Sequence, residues 1–176
     1  PNAGRISPYF IQNSWMKEGE NTLVATLLMP NILHTQINGK DTQIENITTY
    51  PNQNDFILKI TQSKSSKFII KIRIPNWAIK INTTEKNRLQ DGYMVIEREF
   101  SANDSIQFSF ETDVKIKSAA TGAHYFTYGA LLYALPIGAN EISGKTYTGN
   151  FTDFTYEPTS NLRYQFNSNP KTKYIN

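Results

Sequence analysis

Glu97 and Glu99 are the first residues in this sequence whose types and spacing could do chemistry. Two residues apart on an extended strand, they would share one face at a separation of roughly 7 Å, near that of the acid and nucleophile pair of a glycosidase. Neighbours on one strand point in parallel, however, and cannot flank a scissile bond from opposite sides. They read instead as a solvated edge. The histidines, His34 and His124, come with no cysteine and no His-x-x-x-His pair, so no zinc or iron ligand set emerges. His34 is expected in a loop after Pro30. Ser7, Ser14 and the other serines lack a Gly-x-Ser-x-Gly elbow, and no Gly-x-x-x-x-Gly-Lys or Gly-x-Gly-x-x-Gly segment could cradle phosphate. The sequence therefore offers no catalytic residue and no metal ligand.

Aromatic residues offer a different chemistry. Trp77 and Tyr50 could present flat faces to sugar rings while polar neighbours take the hydroxyls. Core packing is the competing reading, because Trp77 follows Ile74-Pro75-Asn76, where a strand end is plugged. The Asn-x-Ser/Thr matches at Asn46, Asn82, Asn103 and Asn150 matter only in a glycosylating secretory pathway, and they arise by chance in an Asn-rich chain.

The elements that must position these residues are strands. Hydrophobic residues make up 39% of the 176 and charged residues 19%, with ten Tyr and ten Phe, a composition that favours a β-rich fold over a disordered chain. The net charge of +3 is scattered, and Lys67, Lys71 and Arg73 recur at even spacing like the wet face of a strand, so nucleic acid is not an expected partner. No run approaches the roughly 18 apolar residues of a membrane helix. The absence of cysteine leaves the redox compartment unread.

Only one helix is expected, from Ser7 through Trp15, with Pro8 at its first position and Gly19 stopping it. It is short and needs a partner for Tyr9, Phe10, Ile11 and Trp15. Strands follow: Thr22 to Met29, a hairpin about Asn38-Gly39 that pairs Ile37 back toward the strand carrying Ile44, and alternating runs at Phe56, Leu58, Ile60 and at Phe68, Ile70, Ile72, Ile74. Tyr93 to Phe100 follows the Asp91-Gly92 turn, Ile106, Phe108 and Phe110 alternate, and Ala123 to Leu135 reads as one long strand with Gly129 marking a bulge or close backbone approach. The expected fold is all-β: an antiparallel, jelly-roll-like β-sandwich with a short N-terminal helix. The expected division is 1–19 for the helix, 20–135 for the sandwich and 136–176 for a partial second β region or tail.

Five segments, in order, resemble the region after the catalytic barrel in glycoside hydrolase family 127, the β-L-arabinofuranosidase-like hydrolases. They are Leu27-Leu28-Met29-Pro30, Thr48-Thr49-Tyr50-Pro51, Ile72-Arg73-Ile74-Pro75-Asn76-Trp77-Ala78, Gly92-Tyr93 with Ile96-Glu97-Arg98, and Tyr128-Gly129-Ala130-Leu131-Leu132-Tyr133-Ala134. Pro1-Asn2-Ala3-Gly4-Arg5 is similar to the end of the family's "CCxPNxxR" motif, and the chain reads as a segment of something longer. Asn52, Phe100 and Ala130 depart from the family pattern, which has Trp, often Trp, and Pro there.

The resemblance implies a zinc-supported thiolate nucleophile and a Glu on an (α/α)6 barrel, none of which this chain supplies. It implies a non-catalytic sandwich of a bacterial glycoside hydrolase acting on arabinofuranoside-type plant glycans. Its partner would be that barrel, with zinc in the parent and none here, a periplasmic or secreted setting favoured over the cytoplasm, and a glycan or a second copy as further possible partners. The rival readings are a free-standing carbohydrate-binding module through Trp77 and Tyr50, and a structural interaction domain.

Overall fold

The computed structural model describes residues 6–133 and 137–160. The elements are α1 (Ile6–Gln12), β1 (Trp15–Glu18), β2 (Thr22–Ala25), β3 (Asn31–Ile37), β4 (Lys40–Ile47), β5 (Asp55–Gln62), β6 (Ser66–Arg73), β7 (Lys80–Thr83), β8 (Arg88–Gln90), β9 (Tyr93–Phe100), β10 (Asn103–Glu111), β11 (Val114–Ser118), β12 (His124–Tyr128), β13 (Leu131–Tyr133), β14 (Ala139–Tyr147) and β15 (Phe151–Pro158). Two compact units result: Pro1–Lys115 with Thr127–Leu131, and Ile116–Phe126 with Leu132–Asn176.

In the first unit two five-stranded sheets form the sandwich, one ordered β1-β2-β6-β9-β8 and the other β3-β4-β5-β10-β7. The period-two pattern of the sequence is what makes this possible. Phe56, Leu58 and Ile60 on β5 are almost fully buried and alternate with exposed Asp55, Ile57, Lys59 and Thr61. On β6 Phe68, Ile70 and Ile72 do the same, while Lys67 and Arg73 face water. Facing rows from the two sheets close one core, with Met94, Ile96, Ile106, Phe108 and Phe110 completing it. Each fully buried side chain of this kind contributes about 1.5–3 kcal/mol relative to exposure.

The fold is the expected all-β sandwich, and among the ladders of its two five-stranded sheets β2 runs parallel to β6, Leu23 lying opposite Ile70. A parallel pair needs a crossover. Here the chain leaves the first sheet after β2, builds β3, β4 and β5 of the second, and returns as β6.

Turn chemistry sets the registers. Asn38 and Gly39 both take positive φ, at 50° and 72°, which gives the hairpin twist that matches the flanking strands. Ile37 then pairs with Lys40 and Leu33 with Ile44. Ile37 thus pairs back onto the strand that carries Ile44, as expected, and both side chains are fully buried in the core.

Several expected elements change. The helix ends at Gln12, not Trp15. The Asn13 amide and backbone N–H both donate to the Tyr9 carbonyl, and Ser14 donates to the Ile11 carbonyl, so the last turn is capped locally. Trp15 then opens β1, and Gly19, at φ +63°, lies in the turn to β2. The strand expected over 22–29 stops at Ala25, because the Thr26 and Leu27 N–H groups donate to the Ser14 carbonyl instead of continuing a ladder. His34 lies inside β3, exposed, and not in a loop. The single strand expected over 123–135 is two, β12 and β13, parted at Gly129 and Ala130. Its last residues, Ala134 and Leu135, lie outside the described residues, as do Pro1–Arg5 and Leu162.

The second unit contains the β14–β15 hairpin, with a bulge between Ser143 and Thr146. Tyr147 donates to Asp153 at 2.8 Å and Tyr156 to Glu141 at 2.7 Å across it. Those carboxylates favour the protonated phenol and push both tyrosine pKa values up.

Candidate functional site

The segment between β4 and β5 carries Tyr50 and is shaped by its own side chains. The Thr48 hydroxyl donates to the Asp55 carbonyl at 2.7 Å and accepts from the Tyr50 N–H at 3.0 Å. Thr49 donates to Gln53, and the Asn52 N–H closes the turn onto the Thr49 carbonyl. The Tyr50–Pro51 peptide within it is cis. On the neighbouring connection, the Ala78 N–H bonds to the Pro75 carbonyl, and Thr112 donates to the Trp77 carbonyl at 3.2 Å.

These two connections bring Tyr50 and Trp77 together, their rings stacked with centroids 6.4 Å apart and planes 17° from parallel. Tyr50 also leans on Phe56 at 5.6 Å, and Trp77 meets Phe110 edge to face at 6.0 Å. Both residues are half-buried against the core. Burial pushes the Tyr50 phenol up, while the Trp77 hydrogen bond and nearby Arg73 pull it back. Much of each ring is therefore committed to packing.

Beside this stack, and sharing Phe110 with it, lies a polar cleft of about 410 Å³. Asn52, Asn54 and Asp55 at and just before the start of β5, Glu111 and Asp113 at and after the end of the neighbouring β10, and Tyr128 are among its lining residues. Glu111 accepts from Lys80 and Asn82, both at 2.8 Å, and these contacts, Lys80 first, hold its carboxyl below the usual range. The Phe110 N–H donates to the Asn54 carbonyl at 3.0 Å, which extends the β5–β10 pairing to the cleft.

Composition and spacing did not single out this cleft. The available signals were the run Asn52-Gln53-Asn54-Asp55 and Gly129, where a close backbone approach was expected. Gly129 takes φ +57°, and a Cβ there would sit 3.4 Å from the Asn54 amide oxygen.

The remaining candidates stay apart. Glu97 is exposed and pairs with Arg88 at 3.3 Å and Lys67 at 3.4 Å; these cations, Arg88 first, lower its pKa. Glu99 is also exposed on β9. His34 is on β3, whereas His124 is on β12, where its Nδ1 is 2.9 Å from the Ser118 hydroxyl. Among the described residues no three His, Cys, Asp or Glu side chains converge as metal ligands. The zinc that the family resemblance implies thus finds no fitting donor set in these residues, and no chemical step is derived through it. Among the described residues no helix is long and apolar enough to cross a membrane.

Residues 22–112, just over half of the chain, match the family model described as β-L-arabinofuranosidase, GH127 middle domain. The chain belongs to this GH127 family. The matched span runs from β2 to the residue after β10 and holds both Tyr50 and Trp77. The GH127 chain is also similar to the crystal structure of a GH127 β-L-arabinofuranosidase from Geobacillus stearothermophilus T6, with TM-score 0.66 and 16% identity over 90% of this chain. A second GH127 β-arabinofuranosidase gives TM-score 0.57 at 17% identity over 80%, and a protein described as a glycoside hydrolase gives 0.57 at 17% over 82%. At such identities the likeness speaks for the fold alone. The chain spans about a third of the first structure, 33%, and 29% of each of the others. No curated protein matches it.

Proposed function

We propose that this GH127 chain is the non-catalytic sandwich portion of a glycoside hydrolase acting on arabinofuranoside-type plant glycans, and that it buttresses an (α/α)6 catalytic barrel. The observation that carries this reading is the surface of α1. Ile6, Tyr9, Phe10 and Ile11 are 55%, 65%, 47% and 62% exposed, and Met16 on β1 is 50% exposed. No residue of the helix is buried. Seven residues of helix gain little from their own hydrogen bonds, so an apolar surface of this kind is held in place by packing against a partner. The span of about a third of each solved relative supports a large partner within the same protein. In this reading the nucleophile and the zinc belong to the barrel, and the chain itself performs no bond cleavage.

Mixing the purified chain with its separately produced barrel tests the reading. A stable complex is expected by size-exclusion chromatography, weakened by Tyr9→Ser with Phe10→Ser. The chain alone should leave an aryl β-L-arabinofuranoside uncleaved. Hydrolysis by the chain alone, or a barrel that ignores it, would overturn the proposal.

The part of Tyr50 and Trp77 that stays accessible, both being only half-buried, favours a second reading, a carbohydrate-binding module. Saturable glycan binding that Trp77→Ala abolishes, with the fold intact, would support it.

A further inference from the structure

Asn54 is one of the residues that line the cleft beside the aromatic stack, and its side-chain oxygen is not used by the sandwich. Asn54 is only 9% exposed, and its Oδ1 is buried with no hydrogen-bond partner among the described residues. Its backbone serves the fold by accepting from the Phe110 N–H. Its side-chain oxygen is an acceptor withdrawn from water and left unpaired, an arrangement that opposes folding.

A partner for that oxygen must be a donor, and the surroundings restrict its chemistry. Three carboxylates, from Asp55, Glu111 and Asp113, line the same cleft, and Glu111 has the Lys80 ammonium beside it. An anionic ligand is disfavoured there. A metal ion lacks its ligand set, since no three acidic or imidazole side chains converge among the described residues. Asn52 and Gln53 add amides that both donate and accept, while Phe110 and Ile79 supply apolar surface. An uncharged ligand with several hydroxyls and an apolar ring face meets all of these demands. The volume of about 410 Å³ is within the usual range of small-molecule sites, roughly 300–1,000 Å³.

We propose that this cleft is a binding subsite for a neutral saccharide, with the side-chain amide of Asn54 as its anchoring group. The subsite is separate from the exposed surface of α1. It deepens the glycan-directed part of the function proposed above and rests on it, without depending on docking to a barrel. In the unliganded chain the Asn54 oxygen is closed to solvent, so binding includes a turn of the amide about its soft terminal torsion.

The test is an NMR titration of the chain with methyl β-L-arabinofuranoside, with methyl β-D-glucopyranoside as a second neutral probe and galacturonate as the charged control. Saturable shifts of the Asn54 side-chain amide and of Tyr128 are expected with at least one neutral probe and not with galacturonate. Asn54→Ala should weaken binding about tenfold or more without lowering the melting temperature, because the unpaired acceptor is gone. Asp113→Asn should retain the fold and alter affinity. The proposal is overturned if neither neutral probe gives saturable shifts, or if binding survives Asn54→Ala. It is also overturned if Asn54→Ala lowers the melting temperature while leaving binding unchanged, the signature of a purely structural amide. Loss of the subsite would leave complex formation with the barrel intact, and loss of docking would leave the titration intact, so the two readings fail separately.

Discussion

The indole Nε1 of Trp15 donates to the Oδ1 of Asn31 at 2.9 Å, a bond that joins the first strand of one sheet to the edge strand of the other. Asn31 stands directly opposite Asn46 in the β3–β4 ladder, and the Asn46 amide donates to the Met29 carbonyl at 2.9 Å. Among the described residues the Asn31 Nδ2 and the Asn46 Oδ1 are both buried without partners. An unpaired donor and an unpaired acceptor thus stand at opposite positions of one ladder.

Trp15→Phe keeps an aromatic body but removes the donor and leaves Asn31 with a second unpaired atom. A loss of about 1–2 kcal/mol is expected in urea denaturation. A double-mutant cycle with Asn31→Ala should return a coupling of about 1 kcal/mol. Additive effects would show that the two sheets are not joined through this bond.

Asp104 and Arg98 make the charged counterpart of that link. Arg98 donates to the two Asp104 oxygens at 2.7 and 3.0 Å, and Glu85 accepts from its other edge at 3.0 and 3.3 Å. The Arg98 bonds come first among the causes that lower the Asp104 pKa to about 2, with the Ser101 and Ser105 N–H groups helping. A folded-state pKa below the unfolded value means that the pair stabilises the fold above about pH 4 and loses that contribution as pH falls toward 2. Asp104→Asn should therefore cost on the order of 2 kcal/mol at pH 7 and nearly nothing near pH 2. Urea unfolding at a series of pH values reads this directly, and a pH-independent loss would reject the ion pair as its cause.

Phe56 and Phe108 stack at the centre of the core with centroids 4.9 Å apart, on adjacent strands where the register places them opposite one another. Phe56→Ala should cost about 3–5 kcal/mol, measured by denaturant unfolding. Phe56→Leu should cost clearly less, because most of the volume is retained.

Gly129 provides a backbone test. Its positive φ disfavours any side chain, while a Cβ would meet the Asn54 amide at ordinary contact distance. Gly129→Ala should lower stability by about 1–2 kcal/mol through backbone strain alone. A much larger loss would indicate that the Asn54 side of the turn cannot yield.

The strands that alternate cleanly were legible in the chain itself. The even spacing of apolar residues at Phe56, Leu58 and Ile60 has only one arrangement that buries all three, so face and register follow from local pattern and turn residues. The errors fell where a distant group supplied the hydrogen bond. Thr22 to Met29 looks like one strand until the Ser14 carbonyl takes the Thr26 N–H. Trp15 looks helical until β2 pairs with it.

The sequence by itself determined the sandwich class, the absence of any thiolate, and a family resemblance carried by short ordered segments, because each depends on residue type and near spacing. Tertiary structure alone decided that Tyr50 stacks on Trp77 and that Asn54 and Asp113 line one cleft. Among the described residues it also left the Asn54 oxygen without a donor. Those relationships join residues dozens of positions apart: the pairing of β5 with β10 in one sheet sets Asn54 beside the end of β10, and the packing of the β4–β5 and β6–β7 connections sets Tyr50 on Trp77, which no local pattern encodes.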